Sequence, residues 1–94
     1  MHDQPKGQET NAERDLRRQG SVLGYIVSTY PHQIRMAELI QELTGDSGKT
    51  EDRLWIEDAV LELRGAGLLF RCEAMVLPTR AAIRAYEVWV ETAA

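Results

Sequence analysis

Ninety-four residues with 44% hydrophobic and 28% charged content suffice for one modest core and fall short of two full domains. The formal net charge of −4 sets an acidic background that local cations must overcome before the chain can hold a polyanion. Cys72 stands alone, so an internal disulfide is excluded; no apolar run approaches the roughly 20 residues of a membrane span, no basic and apolar leader precedes the domain, and a cytoplasmic protein without membrane contact is expected.

Residues 1–12 mix Gln, Gly, Pro, Asn and both charges without apolar periodicity, which predicts a disordered tail ahead of one domain over 13–94. Leu16, Leu23, Ile26, Val27 and Tyr30 then recur at helical spacing and form the inner stripe of a first helix that Pro31 ends. Gly20 and Gly24 weaken that helix, so either it starts late or another element packs closely on it. His32, Gln33 and Ile34 form a short extended link. Met36, Leu39, Ile40 and Leu43 mark a second helix with Gly45 as its stop, although Arg35 occupies the position where Ser, Thr or Asp would open it.

The loop-forming segment 46–49 leads to Thr50, which is expected to cap a third helix over about 51–65 with Glu51 and Asp52 at its positive end. Ile56, Ala59, Val60 and Leu63 face inward, and Gly65-Ala66-Gly67 closes the helix. Two short β-rich runs follow, Leu68 to Cys72 and Met75 to Leu77, with almost no spacer. They predict a two-stranded hairpin whose tip lacks the glycine that a tight turn favours. Pro78 stops the second strand and Thr79 caps a C-terminal helix over 80–92. The expected class is α+β, mostly α: a three-helix bundle, a two-stranded β-hairpin and an additional C-terminal helix.

That order, together with Met36 to Gly45, Ile56 to Leu69 and Val76-Leu77-Pro78-Thr79-Arg80-Ala81-Ala82, resembles the winged helix-turn-helix superfamily of bacterial transcription regulators, in its small single-domain form. The likeness spans about residues 16–86. It implies a DNA-binding transcription regulator whose third helix enters the major groove of double-stranded DNA while the hairpin, or wing, follows the backbone. Carried over by position, the DNA-binding candidates are Lys49, Thr50, Arg53 and Arg71. The resemblance also implies pairing through the terminal helices.

The residues themselves support a second reading. Between Glu51 and Arg64 five acids (Glu51, Asp52, Glu57, Asp58, Glu62) stand against two cations, and Leu54, Asp58 and Leu61 fall on the face turned away from the inner stripe. The alternative is a winged-helix protein–protein interaction module without DNA binding, using Leu54, Trp55 and Leu61. In the last helix Ala82, Ile83, Ala85, Tyr86, Val88, Trp89, Val90 and Ala93 cover most of the circumference. One apolar stripe there exceeds what so small a domain can bury, so a homodimer is expected through the first and last helices, with Leu16, Tyr86, Trp89 and Val90 at its interface.

No catalytic group emerges. Gly48-Lys49-Thr50 ends like a phosphate-binding loop, but Leu43 stands where that motif requires glycine, so the segment reads as an interhelical loop. His2 and His32 are isolated, no metal-ligand spacing occurs, and Ser21, Ser28 and Ser47 lack a base and its orienter. No metal, cofactor or enzymatic activity is expected. Cys72 reads as a small strand residue before it reads as a redox sensor, and Arg17 and Arg18 as part of a solvated helix face.

Overall fold

The computed structural model describes residues 9–45 and 47–93, with side chains in the last helix up to Val88. Among these, the elements are α1 (Asn11–Thr29), β1 (Ile34–Arg35), α2 (Met36–Thr44), α3 (Thr50–Gly65), β2 (Leu69–Cys72), β3 (Met75–Pro78) and α4 (Arg80–Ala93). The result is a small, mostly helical α+β protein with a three-stranded antiparallel sheet in the order β1-β3-β2.

Helix α1 opens on a reciprocal cap: the Thr10 amide donates to Glu13 Oε1 at 3.1 Å and the Glu13 amide donates to Thr10 Oγ1 at 3.1 Å. Two of the helix's orphan donors are satisfied at once. The helix therefore starts inside the segment expected as a tail over 1–12; residues 1–8 of that segment lie outside the described residues. Neither explanation offered for Gly20 and Gly24 holds. The helix starts early, and a Cβ at either glycine would meet nothing within 4 Å.

The inner face of α1 also differs from its expected stripe. Val22, Ile26 and Val27 are buried, whereas Leu16 is 68% and Tyr30 51% exposed. Both ends of the helix overhang the core. Leu16 lies one turn before Gly20, and Tyr30 sits at the helix's C-terminal cap.

The link before α2 is a strand, which adds a third strand to the expected two-stranded hairpin. Ile34 pairs with Val76 and Arg35 with Met75, and the Met36 amide donates to Ala74 O at 3.0 Å as the chain turns into α2. Burial of Ile34 against the core holds this two-residue strand in place, since so short a strand has no stability of its own. Arg35 caps α2 through its backbone only, its amide donating to Glu38 Oε1 at 3.3 Å.

The cap of α3 is Lys49, and Thr50 is the first helical residue; this corrects the capping role expected of Thr50. Ser47 braces the turn ahead of the helix. Its hydroxyl donates to Asp52 Oδ2 at 2.7 Å and accepts from the Lys49 amide at 3.3 Å, a local bond that favours a turn before the helix. At the other end the Leu68 amide donates to Leu63 O at 2.9 Å and the Gly67 amide to Arg64 O at 3.0 Å. With Gly67 at φ +79°, this is the glycine-dependent helix stop. Leu68 is thus committed to the helix end, and β2 begins one residue later than the apolar run.

Strands β2 and β3 pair from Leu69 opposite Pro78 to Cys72 opposite Met75. Without glycine at the tip, Glu73 takes the left-handed conformation at φ +58°, a strained choice for a residue bearing a Cβ. Thr79 then joins three elements. Its hydroxyl donates to Gly67 O at 2.8 Å and accepts from the Ala82 amide at 3.2 Å, and its amide donates to Leu68 O at 3.0 Å.

The core gathers Val22, Ile26, Ile34, Leu39, Ile56, Ala59, Val60, Leu63, Leu69 and Val76, with no buried polar or charged residue among the described residues. Stability rests on apolar burial. Leu39→Ala should therefore cost about 2–5 kcal/mol, while Leu54→Ala, at a site 51% exposed, should stay within about 0.5 kcal/mol. Urea unfolding of the two variants checks the difference; equal losses would contradict this packing.

Candidate functional site

Helix α3 turns Ile56, Ala59, Val60 and Leu63 inward. At about 100° per residue its remaining positions divide into two edges and a crest. Arg53, Glu57 and Arg64 form one edge; Trp55, Asp58 and Glu62 form the other. Leu54 and Leu61 ride the crest between them, 51% and 62% exposed.

Lys49, Thr50 and Arg53 come together on the first turn of α3, all exposed. Their position adds the positive end of the helix dipole to two cations. Arg71 is exposed on β2 but does not join them. It lines a shallow cleft of about 480 Å³ with Leu61, Arg64, Gly65, Leu69 and Phe70, at the far end of the helix. From Arg53 to Arg64 is about 16 Å along the axis, so the four expected DNA-binding residues form two cationic stations, with Arg64 the member that the sequence pattern did not single out. Glu57 is the acid between them.

Phe70 is the other residue that sequence reasoning passed over. It is 45% exposed beside Leu61. Strand alternation carried the signal, because an inward Leu69 turns Phe70 outward.

Trp55 is only partly exposed and packs against the core. The Arg18 guanidinium carbon lies 5.0 Å from its ring centroid, within cation–π range. Between α1 and α3 this pair floors a cleft of about 440 Å³, rimmed by Asp15, Asp58, Leu61 and Glu62. A third, apolar cleft of about 490 Å³ separates α1 from α4 and is lined by Gly20, Leu23, Gly24, Ala82, Ala85 and Tyr86, among others. Of the expected dimer residues, Leu16 is exposed and Tyr86 half-buried; the side chains of Trp89 and Val90 lie outside the described residues.

The cations of α1 are engaged locally. Arg17 forms an ion pair with Glu9 at 2.7 Å, Arg14 donates to Asn11 Oδ1 at 2.8 Å, and Arg18 covers Trp55. The Arg17 hydrogen bond holds the Glu9 carboxyl below its ordinary range and raises the guanidinium in turn. Partial burial, with Glu42 and Glu38 nearby, pushes the Tyr25 phenol up. Among the described residues, Lys49, Arg53 and Arg71 form no ion pair.

Among the described residues no group of three His, Cys, Asp or Glu is placed to hold a metal ion, and no helix is long and apolar enough to cross a membrane. Cys72 is exposed on the hairpin. The chain matches no known family model, no curated protein and no solved structure. Its fold and surface define a small α+β protein whose third helix carries cations along one edge and acids along the other.

Arg17→Ala should move the Glu9 titration midpoint upward in an NMR pH series. Because the folded carboxyl titrates below its unfolded value of about 4.3, the stabilisation from this pair is present above that value. It is lost as pH falls through the lower, folded midpoint; an unchanged midpoint in Arg17→Ala would refute the pairing.

Proposed function

We propose that the protein is a winged helix-turn-helix regulator that binds double-stranded DNA as a homodimer, with α3 as recognition helix and the β2–β3 hairpin as wing. The observation that carries this reading is the first turn of α3, where Lys49, Thr50 and Arg53 are exposed together and both cations lack carboxylate partners among the described residues. A helix N-terminus bearing two exposed cations suits phosphate contact and entry into the major groove. In this reading Arg64 and Arg71, at the far station, contact the flanking backbone. In a fluorescence polarisation assay with pooled genomic duplexes at low salt, the protein should bind. Arg53→Ala should lower the slope of log K against log salt by about one; no binding at low salt would defeat the proposal.

The homodimer is drawn from the α1–α4 cleft. Gly20 and Gly24 open onto it with nothing within 4 Å of a Cβ, and the exposed Leu16 extends the same side of α1. In this reading a helix of a second copy packs into this opening. Light scattering at micromolar concentration should give twice the 10.6 kDa chain mass, and Gly24→Leu should shift the protein toward monomer; a monomeric wild type would exclude the dimer.

A second reading is favoured by the exposure of Leu54 and Leu61: a winged-helix protein-interaction module that uses these leucines with Trp55. Duplex binding separates it from the first reading, since a module without DNA binding shows none.

A further inference from the structure

The last turns of α3 meet β2 at the shallow cleft of about 480 Å³ that Leu61, Arg64, Leu69, Phe70 and Arg71 help to line. Leu61 is 62% and Phe70 45% exposed, so two large apolar side chains from different elements stand open at one place. Arg64 and Arg71 flank them, and neither meets a carboxylate among the described residues. Among the described residues no acid lines the cleft, although the chain holds 15 acidic residues against 11 Lys and Arg. Glu57 precedes Leu61 by one helical turn, Glu62 lies on the opposite edge of α3, and Glu73 follows Arg71 by two residues. The carbonyls of residues 62–64, which end α3, are taken by the Ala66, Leu68 and Gly67 amides, so the two guanidinium groups set the local sign.

We infer that this cleft docks a short acidic segment of a partner protein, its Leu or aromatic side chains lying on Leu61 and Phe70 and its flanking Asp or Glu carboxylates pairing with Arg64 and Arg71. Charge complementarity decides the occupant. Guanidinium groups hold carboxylates through two parallel hydrogen bonds, and pairs partly covered by an apolar side chain are screened by salt less than open ones. A basic segment would meet two like charges. A phosphate backbone would satisfy the arginines but leave Leu61 and Phe70 without an apolar partner, whereas an acidic and apolar peptide uses both halves of the lining. The docking needs neither duplex binding nor Trp55, although an occupied cleft withholds Arg64 and Arg71 from DNA.

The test titrates the isotope-labelled full chain, without nucleic acid, with a short peptide in which Leu and Phe alternate with Glu. Amide shifts should concentrate on residues 61–72. Phe70→Ala and Leu61→Ser should each weaken binding at least about tenfold, and Arg64→Glu with Arg71→Glu should reverse the preference in favour of a Leu/Phe/Lys peptide. All four positions are exposed, so the fold survives these changes. Arg80→Glu with Arg84→Glu, at exposed positions of α4, alters the charge equally and should leave binding unchanged at physiological salt.

Equal binding of the Leu/Phe/Lys peptide by the wild type would overturn the acidic partner. Equal binding of a peptide with Ser in place of Leu and Phe would overturn the apolar half of the contact. An oligothymidylate that binds more tightly and shifts the same amides would assign the cleft to nucleic acid, and a protein mass halved by Leu61→Ser in light scattering would assign it to a second copy of this chain; either result overturns the proposal. Absence of shifts with every peptide would overturn it as well and leave the duplex reading intact.

Discussion

Strand β3 is the constraint on which the rest of the molecule depends. It is the middle strand, pairing with β1 on one side and β2 on the other, and its Val76 is buried opposite Ile34. A slip of one residue would turn Val76 outward and bring Met75 or Leu77 in. Because β1 runs directly into α2 and the Met36 amide is held by Ala74 O, the sheet also sets where α2 begins. Helix α3 packs beside α2 and, more extensively, along α1.

An acidic protein can still present a cationic surface if its charges are sorted on the scale of screening. The two edges of an α-helix with its side chains are about 10–12 Å apart, which exceeds the roughly 8 Å Debye length at physiological ionic strength. Asp58 and Glu62 on one edge of α3 therefore weaken the field of Arg53 and Arg64 on the other only in part. Glu57, on the cationic edge itself, is the closer opponent. Net charge counts all of these equally and so understates the contrast between the edges.

Cations are distinguished further by what they touch. On α1, Arg14, Arg17 and Arg18 are occupied by Asn11, Glu9 and Trp55, and that helix offers little free positive charge. Arg18 serves as a lid on an indole, and its guanidinium helps shape the floor of the α1–α3 cleft. Gly20 and Gly24, on the same helix, leave a smooth surface toward α4 because neither carries a side chain. One helix thus walls two clefts of opposite character, one rimmed by carboxylates and one apolar.

Much of this architecture was written in short stretches of chain. The turn at Gly67, the hairpin, the start of α4 at Thr79 and the periodicity of α2 and α3 all depend on hydrogen bonds or spacings within a few positions, so residue order alone specifies them. Thr10 and Glu13 also formed a readable capping pair, overshadowed by the polar composition around them. Strand β1 left no comparable trace: two residues have no periodicity, and their partner lies about 40 residues away. The separation of Arg71 from Arg53, the meeting of Phe70 with Leu61 and the exposure of Leu16 likewise emerged only when distant segments packed together. Local dihedral preference and hydrogen bonding act along the chain, whereas burial acts between whichever surfaces the fold brings into contact.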